Sequence, residues 1–271
     1  HPKYADHDYN FWTANASTPL TPDTVDIYGH GTHVTGTLAG SGPYRIGMAP
    51  NASWIHAKAF DWTGGTTPST LIKAAQWVLC PTKRDHSGAD CSKGAHIVSC
   101  SFGGNSSLTW LNPSVKAMKA AGAWPIFASG NVNAFKCGSV MEPGGYNYSI
   151  AVGGVNGGIL YPSSGKGPGL DGKTIKPDFV APSFAIKSSV SAADSGHDAY
   201  TRLTGTSMAT PHVAGAFALL LGSLAGATMD PLTALRDTAV QNQRRPIFAA
   251  SKCGGTPYNQ YPNNDYGWGL P

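Results

Sequence analysis

The run Leu203-Thr204-Gly205-Thr206-Ser207-Met208-Ala209-Thr210-Pro211-His212 places a serine among small residues just before an apolar stretch, 213–227. A tight turn entering a buried helix would set Ser207 in the first helical turn. A hydroxyl there feels the positive end of the helix and its unbonded N–H groups, and such groups can hold an oxyanion. In isolation the same run also reads as an ordinary helix-capping serine. A second run, Tyr28-Gly29-His30-Gly31-Thr32-His33-Val34-Thr35-Gly36, sets a histidine between glycines, where a partner backbone can approach closely. A third, Trp124-Pro125-Ile126-Phe127-Ala128-Ser129-Gly130-Asn131, is an apolar strand ending in Gly-Asn. Alone, that dipeptide would be a turn. Serine nucleophile, histidine base and amide donor are the parts that acyl transfer requires.

Those groups need a frame. Strands are expected at 53–60, 95–102, 124–128, 148–155 and 185–190. Helices are expected at 30–40, at 68–79, at 108–121 with the regular part after Pro113, from Ser207 onward, and at 231–240. The alternation argues for an α/β protein with a parallel sheet covered on both faces. Ligands of such sheets bind beyond the carboxyl ends of the strands, where Ser101 and Asn131 fall. Residues 1–28 are polar and predict little regular structure. The 271 residues fit one large domain, with no internal repeat or second-domain boundary.

Composition excludes some functions. The net charge is +4 without a basic block, which gives no support for nucleic-acid binding. The longest apolar run, 213–227, is interrupted by Gly215, Gly222, Ser223 and Gly226 and is too short to span a membrane. Cys80 and Cys91 flank a polar loop and are expected to pair; Cys137 and Cys253 are candidates for a second bridge, and Cys100 lies in an apolar strand as a buried thiol. With four sequons, at Asn15, Asn51, Asn105 and Asn147, these cysteines point toward a secreted glycoprotein.

Together and in this order the three runs resemble the subtilisin-like serine proteases, whose patterns are H-G-T-H-V-x-G, A-x-G-N and G-T-S-M-A-x-P-H-V-x-G. Gly47-Met48-Ala49-Pro50, Val98-Ser99-Cys100-Ser101-Phe102-Gly103-Gly104 and Lys176-Pro177-Asp178-Phe179-Val180-Ala181-Pro182 extend the likeness. Ser163-Ser164-Gly165-Lys166-Gly167-Pro168 and the opening His1-Pro2 resemble the bacillopeptidase F-like branch. The resemblance implies a three-layer α/β fold with a mainly parallel sheet and helices on both faces. It implies Ser207 as nucleophile, His30 as base, and Asn131 with the Ser207 N–H as oxyanion donors. Ser101, Phe102 and Gly103 would pair with an extended peptide, and Ala128, Ser129 and Gly130 would line the opposite side of the first pocket. His33 takes a structural role, and a zinc reading of His30 with His33 lacks the H-E-x-x-H pattern. The loop 61–65 reads equally as a cleft edge or as a plain connection. Further implications are polypeptide substrates, the protein's own cleaved propeptide as a partner, a secreted monomer, and neither cofactor nor metal. The loop 40–45 lacks the acidic cluster of a calcium site.

Three departures stand out. Phe102 replaces the usual leucine or methionine. Ser183 follows Ala181-Pro182 where the family has glycine, which puts the local backbone in question. No D-[ST]-G motif precedes His30; Asp6, Asp8, Asp23 and Asp26 all lie in polar, turn-like sequence. The expectation is a single peptidase domain, 1–271, lacking its acid-bearing first strand and its last C-terminal segment, and nearly inactive in that form. A catalytically inactive homologue that binds peptides or inhibitors is the alternative. An α/β-hydrolase esterase is disfavoured: Ala209 stands where the nucleophile elbow has glycine, and His30 precedes Ser207.

Overall fold

The computed structural model describes residues 7–14, 26, 28–42, 44–104, 108–132, 136–191, 200–224, 229–241 and 252–271. Strand β1 (Phe11–Thr13) pairs in parallel with β2 (His56–Lys58). Between them helix α1 (His30–Ala39) starts at a left-handed Gly29, φ 74°. Helix α2 (Pro68–Leu79) begins with Pro68 at its first position and Thr67 as cap, its side chain accepting from Thr70 N. Strand β3 (Ile97–Cys100), a 3₁₀ turn (Leu108–Leu111), helix α3 (Asn112–Ala120) and strand β4 (Trp124–Ala128) follow. The predicted helix over 108–121 is therefore split, because Pro113 fits the first turn of a helix and not its interior.

Strand β5 (Ile150–Asn156) carries β4 on one edge and β7 (Phe179–Pro182) on the other, both parallel to it, while β6 (Ile159–Leu160) folds back antiparallel on its end. Strands β8 (Ile186–Ser189) and β9 (Tyr200–Leu203) form an antiparallel pair. Helix α4 (Thr206–Ser223), helix α5 (Pro231–Thr238) and the short strands β10 (Lys252–Cys253) and β11 (Thr256–Pro257) complete the chain.

The side chains of β4 alternate between two cores, as strand geometry requires. Ile126 packs with Ala209, Val213, Ala214 and Phe217 of α4 and Leu235 of α5. Phe127 packs with Leu71 of α2 and Val115 of α3 on the other face. The result is the expected three-layer α/β arrangement with a mainly parallel sheet. No described helix is long and apolar enough to cross a membrane.

Among the strands that sequence reasoning missed are β1 and β7. The first is three residues inside polar sequence. The second, bracketed by Pro177 and Pro182, is apolar throughout because both its faces are covered. The doubt raised by Ser183 resolves locally. Its backbone N and its Oγ both donate to Val155 O, at 2.9 and 3.2 Å, and its buried side chain lies against Gly154. A Cβ at Gly154 would stand 2.7 Å from Ser183 Cβ, so the glycine makes room for the serine.

Both bridges form, Cys80–Cys91 and Cys137–Cys253, and Cys100 is a free thiol whose burial pushes its pKa up to about 12. Replacing Cys80 and Cys91 by serine should cost about 2–3 kcal/mol, the chain-entropy value for a loop of this length. Urea titration of the double variant checks this; an unchanged midpoint would mean the loop 81–90 is already constrained by its own hydrogen bonds.

Candidate active site

Ser207 is placed by the way α4 begins. Gly205 has φ 150° and donates to Ser183 O at 2.9 Å, tying the turn to the end of β7. Thr206 is fully buried, and Ser207 is the second helical residue, with its N–H in the unbonded first turn. Pro211 lies inside the helix four residues on. It has no N–H to give to the Ser207 carbonyl. That carbonyl instead accepts from Ser101 Oγ at 2.7 Å, while Ser207 Oγ donates to Ser101 O at 3.1 Å. The Thr-Pro pair in the sequence thus leaves a free acceptor that docks the end of β3 against Ser207.

Asn131 follows β4 through Gly130, whose φ of 102° turns the chain outward. Asn131 Oδ1 accepts from Thr206 N at 2.9 Å and from Thr206 Oγ1 at 3.1 Å. With its oxygen so anchored, the carboxamide has only Nδ2–H left to offer. A Cβ at Gly205 would stand 3.1 Å from that Nδ2, so the missing side chain makes space for the amide.

His30 opens α1. No side chain caps the helix at Gly29; Asp26 does so from outside, with Oδ1 accepting from Gly29 N at 2.9 Å and Oδ2 from Thr32 N and Thr32 Oγ1 at 2.7 Å. Of the other early acids, Asp8 accepts from Arg84 N, and Asp6 and Asp23 lie outside the described residues. The rest of the histidine motif is packing. His33 is fully buried with Nε2 3.0 Å from Ile186 O, and Ser188 and Ser189 donate to His33 O and Thr32 O. Gly36 lets β8 come that close. Helices α1 and α4 pack against each other. Among the described residues no hydrogen bond joins His30 to Ser207; the imidazole lies beside the Tyr28 ring, centroids 6.3 Å apart.

Burial pushes the imidazoles of His30, His33, His56 and His212 below their ordinary value, and the Asp26 charge partly offsets this at His30 and His56. The unfolded chain therefore takes up protons near pH 6.5 that the folded chain does not. Stability is full above that pH and declines as the pH falls through the unfolded value toward the lower folded values. Calorimetry between about pH 7 and pH 5 should show Tm falling with acidification; a Tm that rises would contradict this assignment.

Ser101, Phe102 and Gly103, the residues expected to pair with a peptide, lie at the end of β3, where Ser101 contacts Ser207. Phe102 packs at a tilt against Phe60 and edge-on against Phe127, centroids 5.3 and 5.7 Å away. A cavity of about 330 Å³ opens next to Gly103 and Gly104, lined also by Phe60, Thr66, Thr67, Pro68, Leu71, Phe102, Leu108 and Trp110. Most of that lining went unnoticed in the sequence, because it comes from separate segments without a shared motif. Ala128, Ser129 and Gly130 are buried on the other side. In the loop 61–65, Asp61 Oδ1 accepts from Thr63 N, Thr63 Oγ1 and Gly65 N, and Gly64 lies under the Tyr28 ring. Tyr28 thus links this loop to His30. Among the described residues no three His, Cys, Asp or Glu side chains are grouped to hold a metal ion.

Comparison with known proteins shows the family and the fold. The model of the Subtilase family matches residues 1–269. Bacillopeptidase F of Bacillus subtilis (strain 168) is 35% identical over 280 residues, which cover 99% of this chain and 18% of that protein. Subtilisin Savinase of Lederbergia lenta is 32% identical over 216 residues, covering 79% of this chain and 70% of its own. The chain also spans half of an alkaline protease of Alkalihalobacillus alcalophilus, at 32% identity. Among solved structures, a cold adapted subtilisin-like serine proteinase superposes with a TM-score of 0.67 at 28% identity, covering 98% of this chain and 85% of that one.

Proposed function

The chain belongs to the subtilase family, and from that premise we propose that it is the peptidase domain of a secreted serine endopeptidase. Ser207 attacks the scissile carbonyl, and His30 takes its proton and returns it to the leaving amine. Asn131 Nδ2 and the Ser207 N–H hold the oxyanion. The substrate lies extended along Ser101, Phe102 and Gly103, with Ala128, Ser129 and Gly130 across the cleft. The cleaved propeptide occupies the same cleft, and the protein acts as a monomer without cofactor.

One observation carries this reading. The Asn131 carboxamide is fixed through its oxygen to Thr206, the residue just before the nucleophile, at 2.9 and 3.1 Å. A turn residue needs no such anchor, whereas an oxyanion donor must be held before charge develops. Asp26 is occupied as the cap of α1, so the triad acid is assigned to a strand upstream of residue 1. Sheet topology supports that place: among the described residues β2 and β3 each have an unpaired edge, and α2 packs against both strands.

The test is to express these 271 residues beside a version extended upstream through the D-[ST]-G strand. Both are treated with a serine-directed fluorophosphonate and assayed on a protein substrate. Rapid labelling at Ser207 in the extended form alone supports the reading. Equal labelling and turnover by both would assign the acid to residues 1–29. No reaction in either form, with folding intact, would favour the peptide-binding homologue.

A further inference from the structure

A proline inside a helix leaves the carbonyl four residues earlier without its ordinary N–H partner. In α4 the proline is Pro211 and the carbonyl is that of Ser207. The donor that replaces the missing N–H is the Ser101 hydroxyl, at 2.7 Å. Strand alternation delivers it. Cys100 packs toward α2 and α3, with Leu71, Val115 and Met118, so the next side chain along the chain turns the other way, onto α4. The return contact uses the Ser101 backbone, whose carbonyl accepts from Ser207 Oγ at 3.1 Å. The Ser101 side chain is thus engaged with the helix that carries Ser207, while its main chain belongs to the end of β3. The other anchors of this turn act on residues before Ser207: Gly205 N donates to Ser183 O, and Asn131 Oδ1 accepts from Thr206. The Ser101 hydroxyl acts on Ser207 itself.

We propose that Ser101 is a positioning residue for the nucleophile: its hydroxyl stands in for the N–H that Pro211 lacks and fixes the first turn of α4. The proposal rests on the reading of Ser207 as nucleophile. The Oγ, N–H and carbonyl of Ser207 hang from one Cα, so a bond that fixes the carbonyl also restricts the direction of the other two. Those two must meet the carbon and the oxygen of the same scissile carbonyl. A displacement of about 1 Å at such a centre is enough to cost about a hundredfold in rate. The hydroxyl needs no contact with a peptide to do this, so its loss acts on kcat. Pro211 and Ser101 thereby form one device: the proline removes a donor from the helix, and the strand returns it from outside.

The test is a double-variant cycle in the form extended upstream of residue 1, with kcat and KM measured on a peptide substrate beside the rate of fluorophosphonate labelling. Ser101→Ala should lower kcat and the labelling rate about tenfold to a hundredfold. KM should stay within about twofold, because the Ser101 carbonyl remains in place. Pro211→Ala gives α4 back an N–H that can bond Ser207 O. In that background the further change Ser101→Ala should cost less than about threefold, since two donors that serve one acceptor are not additive. The comparison of Pro211→Ala with Pro211→Ala/Ser101→Ala supplies the readout if Ser101→Ala alone does not fold, because the Ser207 carbonyl has a donor in both. Ser101→Thr keeps the hydroxyl and should stay within about threefold of the parent. An equal loss from Ser101→Ala with and without Pro211→Ala overturns the proposal. So does an unchanged kcat in Ser101→Ala, a loss confined to KM, or a folded Ser101→Thr as slow as Ser101→Ala. Failure of the peptidase reading is seen separately, as absence of labelling at Ser207 in the extended form without substitutions.

Discussion

Replacing Ser207 by alanine is expected to lower kcat on a protein substrate about 10⁶-fold, a scale carried over from the nucleophile of subtilisin, a relative, and not from this chain's own geometry. The measurement uses the form extended through the acid-bearing strand. The variant loses only the hydroxyl, the group proposed to form the acyl intermediate. The fold should survive. Ser207 O still accepts from Ser101 Oγ, because that bond uses the backbone that Pro211 leaves free. The Ser207 Oγ to Ser101 O bond is lost, which costs about 1 kcal/mol of stability. An alanine variant that kept its turnover would show that a different residue is the nucleophile. A variant that unfolded would show that the serine pair is a structural clasp first.

Replacing Asn131 by alanine is expected to lower kcat by about a hundred- to a thousand-fold with little change in KM, a range again taken from subtilisin itself. The reason is the timing of the contact: Nδ2–H meets full negative charge only in the tetrahedral state. Alanine also removes the acceptor of Thr206 N and Oγ1, which could loosen the start of α4 by itself. Asn131→Asp separates the two effects. It keeps an oxygen for Thr206 and loses the donor. If the aspartate variant falls as far as the alanine variant, the donor is responsible. A loss seen only in KM would make Asn131 a binding residue instead.

Local sequence was informative wherever a residue's role depends on its immediate neighbours. Gly205 before a buried helix, and Gly130 turning the chain after β4, place Ser207 and Asn131 at element ends. The apolar runs of β4 and β5 and the Thr67-Pro68 start of α2 are short-range signals of the same kind. Cys80 and Cys91 are near enough in sequence for their pairing to be foreseen. Such features follow from backbone sterics, side-chain period and loop closure, all of which act over a few residues.

Only the tertiary structure decided how those parts meet. The anchoring of Asn131 to Thr206 joins residues 75 apart, and the exchange between Ser101 and Ser207 joins residues 106 apart. Asp26 looked like a turn residue, and its role as cap of the histidine helix, made over only three and six residues, was not read from its polar neighbours. Met141 stands in an unremarkable loop and carried no signal at all. It reaches the cleft because its N–H donates to Ser129 O, and Glu142 exchanges hydrogen bonds with Gly104, which holds the segment between the glycine walls of Gly103 and Gly130. The chain by itself therefore determined which chemical groups are available and at which element ends they stand. Pocket shape and the anchoring of Asn131 came from long-range contacts, whose geometry exists only once the sheet and its helices have closed around one core.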